Sequence, residues 1–157
     1  LQVSNIFIEN REIRKKFRKE MHKGGYNEIS IMGIVACAAA YSKGQKWLEE
    51  LKDYLFNNLN FVRTYLAERL PQIKLIEPEG TYLIWLDCRA LCRELGLDDA
   101  ALRQFFIREA RVGMNPGTVF GAGGGGFMRL NIGAPRAVVL EALDRIADAL
   151  ARRNSSI

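Results

Sequence analysis

The residues of this chain best suited to chemistry lie in positions 115–136, in the run Asn-Pro-Gly-Thr-Val-Phe-Gly-Ala-Gly-Gly-Gly-Gly-Phe-Met-Arg-Leu-Asn-Ile-Gly-Ala-Pro-Arg. Five glycines fall within the six positions 121–126, so another group can approach the backbone closely, and the loop is expected to be loose and mobile, as a binding-site rim would be. Residues 127–132 then alternate, placing Phe127, Arg129 and Asn131 on one face of a strand and Met128, Leu130 and Ile132 on the other. Arg129 is the first candidate for a substrate contact. Its planar fork donates two parallel hydrogen bonds and stays charged when partly buried, which suits it to a carboxylate. The plainer reading is a strand arginine paired with any nearby acid. Asn131 can orient Arg129 through its amide or merely satisfy local backbone groups. Arg136 follows Pro135 at a helix start, where its charge opposes the helix dipole; that small cost points to a specific acidic partner or contact.

Other reactive groups are arranged less tellingly. Cys37, Cys88 and Cys92 are an odd set without metal-ligand spacing. Cys88 and Cys92 could face each other across a helical turn, but two ligands make no zinc site, so reduced and mostly buried thiols are expected and no metal. His22, the single histidine, lies among lysines with no acid or nucleophile beside it and reads as a surface residue. The glycine run lacks a Gly-Lys-Ser/Thr ending and precedes a strand rather than a helix, which argues against a nucleotide loop.

Formal net charge is +5, with basic residues gathered mainly at 11–23 and at Arg152-Arg153. Without a helix-turn-helix, zinc-finger or aromatic-interleaved RNA-binding signature, this reads as a solvated helix face and not as a nucleic-acid interface. No apolar run is long enough for a membrane span or a signal peptide, so a cytoplasmic protein is the default expectation.

These groups need positioning elements. Residues 3–8 are β-rich and read as a strand; Asn10 then caps a helix to about His22 that Gly24-Gly25 ends. A second helix runs from Ile29 to about Tyr41, where Gly33 marks a close approach. The longest signal follows: Trp47, Leu48, Leu51, Tyr54, Leu55, Leu59, Val62, Tyr65, Leu66 and Leu70 recur at spacings of three and four until Pro71. Beyond it, strands are expected at 74–76 and 81–87 around the Pro78-Glu-Gly80 turn. Asp98 caps a helix to about Ala110 with Leu102, Phe105 and Phe106 inward, and 112–114 is a brief strand. Pro135 opens a last amphipathic helix burying Val139, Leu143, Ile146, Ala147 and Leu150, and the residues from 154 onward are expected to fray. This order describes a two-layer α+β unit, an antiparallel or mixed sheet with helices on one side.

Pro116-Gly-Thr-Val-Phe-Gly121, Gly126-Phe-Met-Arg-Leu-Asn-Ile132 and Pro135-Arg136 together resemble the C-terminal signature of pyridoxal-phosphate enzymes of aminotransferase fold type I. More narrowly they resemble the cystathionine β-lyase branch of MalY and PatB type. Pro78-Glu-Gly-Thr-Tyr-Leu-Ile-Trp-Leu-Asp87 matches the same branch, as do Gly33-Ile-Val-Ala36, Ala39-Ala-Tyr41 and Trp47-Leu48, so the similarity runs nearly end to end.

The resemblance implies an α/β fold class in two parts: residues 1–45 as a C-terminal piece of the large cofactor domain, and 46–157 as a connecting helix and small α+β domain. It implies a pyridoxal 5′-phosphate cofactor, an amino-acid substrate and a homodimer. Arg129 would hold the substrate α-carboxylate, with Asn131, Tyr82 and Thr81 near it, although Tyr82 alone reads equally as a packed aromatic. The lysine that anchors the cofactor, the acid on its pyridine nitrogen and most of the phosphate cup are expected before Leu1, leaving no catalytic residue in this chain. None of the eight lysines present is placed to substitute. Gly125 stands where the branch commonly has glutamate, and Gly133-Ala-Pro-Arg136 where it often has Ala-Cys-Pro-Arg, so both β-elimination and transamination stay open.

Overall fold

A computed structural model describes residues 3–26 and 28–155. The chain separates into two compact units, Leu1–Leu51 and Lys52–Ile157, with the division inside the long helix.

In the first unit, helix α1 (Arg11–Lys23) begins where Asn10 accepts hydrogen bonds from the backbone N–H groups of Glu12 and Ile13, satisfying donors that helix geometry leaves free. Residues 3–8 do not form the expected strand. An isolated β-rich segment has no ladder to join among the described residues, and its Ile8 carbonyl instead accepts from Arg14 at 2.7 Å. Helix α2 (Ile31–Lys43) buries only Gly33 and leaves Ile31 77% and Met32 68% exposed, with Ile34 and Val35 exposed beside them. Such a contiguous apolar surface is what a neighbouring structure ordinarily covers.

The second unit is built on the C-terminal part of α3 (Gln45–Arg69), whose Val62, Tyr65 and Leu66 face the core. Its sheet has the order β1-β2-β4-β3, with β1 Lys74–Ile76, β2 Leu83–Asp87, β3 Asn115–Pro116 and β4 Phe127–Asn131. All three pairings are antiparallel, so the mixed alternative drops out. Ile84, Leu86, Met128 and Leu130 form the buried face, and α4 (Arg89–Leu95), α5 (Asp99–Gln104) and α6 (Arg136–Asn154) add Leu91, Leu102, Val139, Leu143, Ile146 and Leu150 to the same core. Ala147 sits at the margin of that stripe, half-buried, while Ala149 is fully buried.

Three local departures have physical causes. Asp98 caps α5 as expected, but the helix widens at Phe105–Glu109, where Ala110 N–H reaches back five residues to Phe105 O. Adjacent residues on a regular helix point about 100° apart; the wider turn lets Phe105 and Phe106 both enter the core, their rings 5.2 Å apart. The strand expected at 112–114 begins at Asn115, because the partners it meets on β4 are Arg129 and Met128, and Val112 turns into the core instead. Being on a sheet edge, it tolerates Pro116. Helix α6 continues through Asn154, and Ser155 bonds back to Ala151, so fraying does not start at 154; Ser156 and Ile157 lie outside the described residues. No described helix is long and apolar enough to cross a membrane.

Asn58 is 0% exposed in the middle of α3. Its amide donates to the carbonyls of Ile132 (2.9 Å) and Ala134 (3.0 Å) and accepts from Arg136 Nε (2.7 Å), while Tyr54 Oη accepts from Arg136 N–H. These bonds clasp the chain where it leaves β4 and enters α6.

The glycine run is held more firmly than its composition implies. It forms two short tight turns, Gly117–Phe120 and Ala122–Gly124, pressed backbone to backbone. A Cβ on Gly117 would lie 2.2 Å from Gly124 O, and one on Gly124 would lie 2.0 Å from Gly117 O. The loop is further pinned at Gly126, whose N–H donates to Asp99 Oδ1 (2.6 Å) and whose carbonyl accepts from Cys88 N–H (2.8 Å). The looseness expected from glycine content is therefore absent, because here glycine permits contact between two backbone segments.

Gly124→Ala is expected to destabilise the chain by about 1–3 kcal/mol in urea denaturation, whereas Gly123→Ala, with nothing near its Cβ position, should stay within about 0.5 kcal/mol of the parent. Equal effects would contradict the lock. Tyr65 gives a second test. Burial, reinforced by its 2.5 Å hydrogen bond to Asp144, pushes the phenol up to about 12. The raised value means that the neutral phenol is favoured by folding. That stability is complete below the unfolded value of about 10 and is lost as pH rises towards 12. Ultraviolet titration should show one tyrosine ionising last, a step that Tyr65→Phe removes.

Candidate carboxylate-binding site

The strand register builds the site. Ile76 pairs with Trp85, Trp85 with Arg129 and Arg129 with Asn115, so one row runs across all four strands on the face away from the core. Arg129 stands in the row with Asn115 on one side and Trp85 on the other. Its Nη2 donates to Asn115 Oδ1 at 3.2 Å. The Phe120 ring covers its guanidinium at 4.4 Å, and Trp85 meets Phe120 edge to face at 5.3 Å. Arg129 Nε is buried and lacks a hydrogen-bond partner among the described residues. A buried donor left unpaired costs roughly 1–3 kcal/mol, a penalty that an incoming oxygen with a modest shift of the fork would relieve. The Gly117·Gly124 contact thus has a structural purpose: it carries Phe120 over Arg129.

Beside this row lies an apolar groove of about 450 Å³, lined by Ile76, Trp85, Phe120, Phe127 and glycine-loop backbone. A guanidinium at the edge of an apolar groove suits a small molecule with a carboxylate next to an apolar segment.

Asn131 does not orient Arg129. Its Oδ1 instead accepts from Gly133 N–H at 2.8 Å, satisfying local backbone where the chain leaves β4. Asn115 holds Arg129 instead. Tyr82, 47% exposed, packs against Gly133 beside Asn131, so these two candidates come together one row from Arg129 and not on it. Thr81 adopts φ 69°, unusual for a β-branched residue, and its hydroxyl accepts from Leu83 N–H. Among the described residues Arg136 finds no acid: Asn58 Oδ1 and the Phe61 ring at 4.9 Å take the place of the expected carboxylate, the amide oxygen and the ring face both being electron-rich.

Asp87 and Arg89 form a two-bond pair, and Arg89 lies over Phe127 at 4.9 Å. The Arg89 hydrogen bond holds the Asp87 carboxyl below its usual range, so it stays ionised and occupied. Burial pushes the Cys88 thiol up strongly and Cys92 also upward, which leaves both protonated and poor nucleophiles. His22 is exposed on α1. Among the described residues no His, Cys, Asp or Glu cluster could hold a metal ion. Lys74 shares the Arg129 face but sits on β1, two strands away and one row down.

Sequence reasoning assigned no role to Asn115, Phe120, Trp85, Asp99 or Asn58. Asn58 left a readable signal, as a polar residue on the apolar stripe of α3. The others depend on pairing between distant segments.

No protein-family model matches the chain. It is 41% identical over 150 residues to cystathionine beta-lyase PatB of Bacillus subtilis, a match covering 96% of this chain and 38% of that protein. Protein MalY of Escherichia coli is 35% identical over 131 residues, covering 83% of this chain and 33% of its own length. Among solved structures, cystalysin of Treponema denticola, which contains a pyridoxal 5′-phosphate cofactor, superposes with a TM-score of 0.86 at 34% identity, over 93% of this chain and 36% of that one. The aspartate aminotransferase of Pyrococcus horikoshii is a more distant relative, 28% identical over 122 residues. The chain spans well under half the length of these proteins. It belongs to the MalY/PatB-type branch of the fold type I pyridoxal-phosphate enzymes, and corresponds to a C-terminal portion of such a protein.

Proposed function

We propose that this chain is the substrate-gripping end of a pyridoxal-phosphate-dependent C–S β-lyase, which cleaves L-cystathionine or a cysteine conjugate with water to a thiol, pyruvate and ammonia. The observation that carries this reading is Arg129: braced by Asn115, roofed by Phe120, and left with a buried donor that has no partner in the described chain. A substrate α-carboxylate accepts from the guanidinium fork, and because the fork is held by its neighbours the amino acid is fixed in orientation at little entropic cost. Asn131 and Tyr82 shape the adjoining row, and the apolar groove takes the methylene and thioether segment of the substrate.

Pyridoxal phosphate, when bound to the whole enzyme, supplies the electron sink for the elimination. The residues described here fit the substrate end of that chemistry and not the cofactor's own anchoring: Lys74, the lysine on this face, is two strands from Arg129 and is placed near Asp87. In this reading residues 1–45 are part of the large cofactor domain, 46–157 form the connecting helix and small domain, and the enzyme is a cytoplasmic homodimer. The exposed Ile31, Met32, Ile34 and Val35 support it, since they would be covered in a complete enzyme.

The test uses the protein encoded by the whole reading frame. It should release pyruvate from L-cystathionine faster than it transfers the amino group to a 2-oxo acid, and should sediment as a dimer. Arg129→Ala should lower kcat/KM roughly 30- to 1000-fold, the loss of a partner from a buried charged hydrogen-bond pair. The 157-residue chain alone should give no turnover. Pyruvate release by that purified chain above the rate of free cofactor, or an Arg129→Ala enzyme with unchanged kcat/KM, would overturn the proposal.

A further inference from the structure

Every cation after Lys74 is an arginine, and five of those ten gather in one place, where fork-shaped donors matter more than point charges. Arg108, Arg111, Arg145, Arg152 and Arg153 line a cleft of about 680 Å³ between the wide turn Phe105–Glu109 and the C-terminal half of α6. Positions 145, 148, 149 and 152 share one face of α6 by their spacing of three and four residues. Ala110 and Ala149, each 1% exposed, let the two elements close at the base while the long side chains stand around the rim.

Several of these arginines are held in place. Arg153 grips both carboxylate oxygens of Glu109, at 2.9 and 3.0 Å. Arg152 Nη2 donates to the Glu109 carbonyl, and Arg145 donates to the Arg111 carbonyl and to Glu141. These bonds satisfy backbone acceptors where the turn ends, and they also preorganise the guanidinium groups. Arg108 and Arg111 are exposed and carry no ion pair among the described residues. Five arginines against Glu109 and Asp148 on the lining, and Glu141 paired with Arg145 beside it, leave an excess of two positive charges around the cleft. A concave wall carrying charge of one sign focuses potential on whatever enters it.

The position is separate from Arg129, which stands on the sheet face opposite the helix layer. Nothing in substrate gripping uses it. The volume falls within the range of small-molecule sites, about 300–1000 Å³. Guanidinium forks match phosphate oxygens, and five forks standing around one cleft present more donors than a single phosphate group or carboxylate can occupy. We infer that this cleft is a second binding site, for a small anion carrying two or more phosphate groups.

Titration calorimetry on the protein encoded by the whole reading frame, saturated with pyridoxal phosphate, with inorganic tripolyphosphate at constant ionic strength, tests this. The expected result is saturable one-site binding, at least about tenfold tighter than inorganic phosphate or sulfate, and weakened about tenfold or more by Arg108→Ser and by Arg111→Gly. Arg111 has φ 55°, so glycine relieves the backbone there and a loss of binding cannot be ascribed to unfolding. Arg129→Ala, and the pair Lys15→Ser with Lys19→Ser on α1, which removes two charges where each cleft variant removes one, should leave the affinity unchanged. Absence of saturable binding, equal affinity for inorganic phosphate, or equal weakening by the α1 pair would each overturn the inference; the last would show diffuse charge alone.

Discussion

The second unit depends on one buried amide. Asn58 sits on the apolar stripe of the long helix with no solvent exposure, where an unpaired polar group would be expensive, and it is tolerated because both ends of its amide are occupied. Its partners are two carbonyls just beyond β4 and the guanidinium that begins α6. That junction cannot shift without leaving polar groups unpaired in the core, so the long helix sets where β4 ends. The register of β4 in turn sets where Arg129 stands.

From that anchor the site follows by layers. The sheet places Trp85, Arg129 and Asn115 side by side; the contact between Gly117 and Gly124 folds the loop tightly enough to bring Phe120 over the guanidinium. A ring face over a cation contributes roughly 0.5–2 kcal/mol, more as water is excluded. The charge is therefore stabilised without being neutralised by an acid. This distinguishes Arg129 from Arg63, Arg89, Arg145 and Arg153, each of which is paired with a carboxylate. That Arg129 has no acid partner among the described residues supports the proposal that it meets a ligand carboxylate.

Much of this was legible in the sequence, and the reasons are local. The caps at Asn10 and Asp98 are single-residue hydrogen-bond signals, the long helix has an apolar period, and the alternation of 127–132 put Arg129 and the core residues on opposite faces. What was not legible depends on contacts between distant segments. The β-rich residues 3–8 carry strand propensity but meet no partner strand among the described residues. The start of β3 moved because its partner, not its own composition, decided the pairing. Glycine content was read as freedom in the loop, when those glycines serve close backbone packing. For Asn131 the sequence left two readings open, orienting Arg129 or satisfying local backbone; the second holds, at Gly133 N–H, and it is Asn115, from another strand, that bonds Arg129.

The coding sequence immediately upstream of Leu1 tests the central claim most directly. If Arg129 serves a pyridoxal-phosphate lyase, that sequence encodes a large α/β half ending in a Ser-x-x-Lys segment that supplies the cofactor's lysine. A start codon or an unrelated linker at that place would contradict the account and leave the Arg129 face as a carboxylate-binding surface without a cofactor to serve.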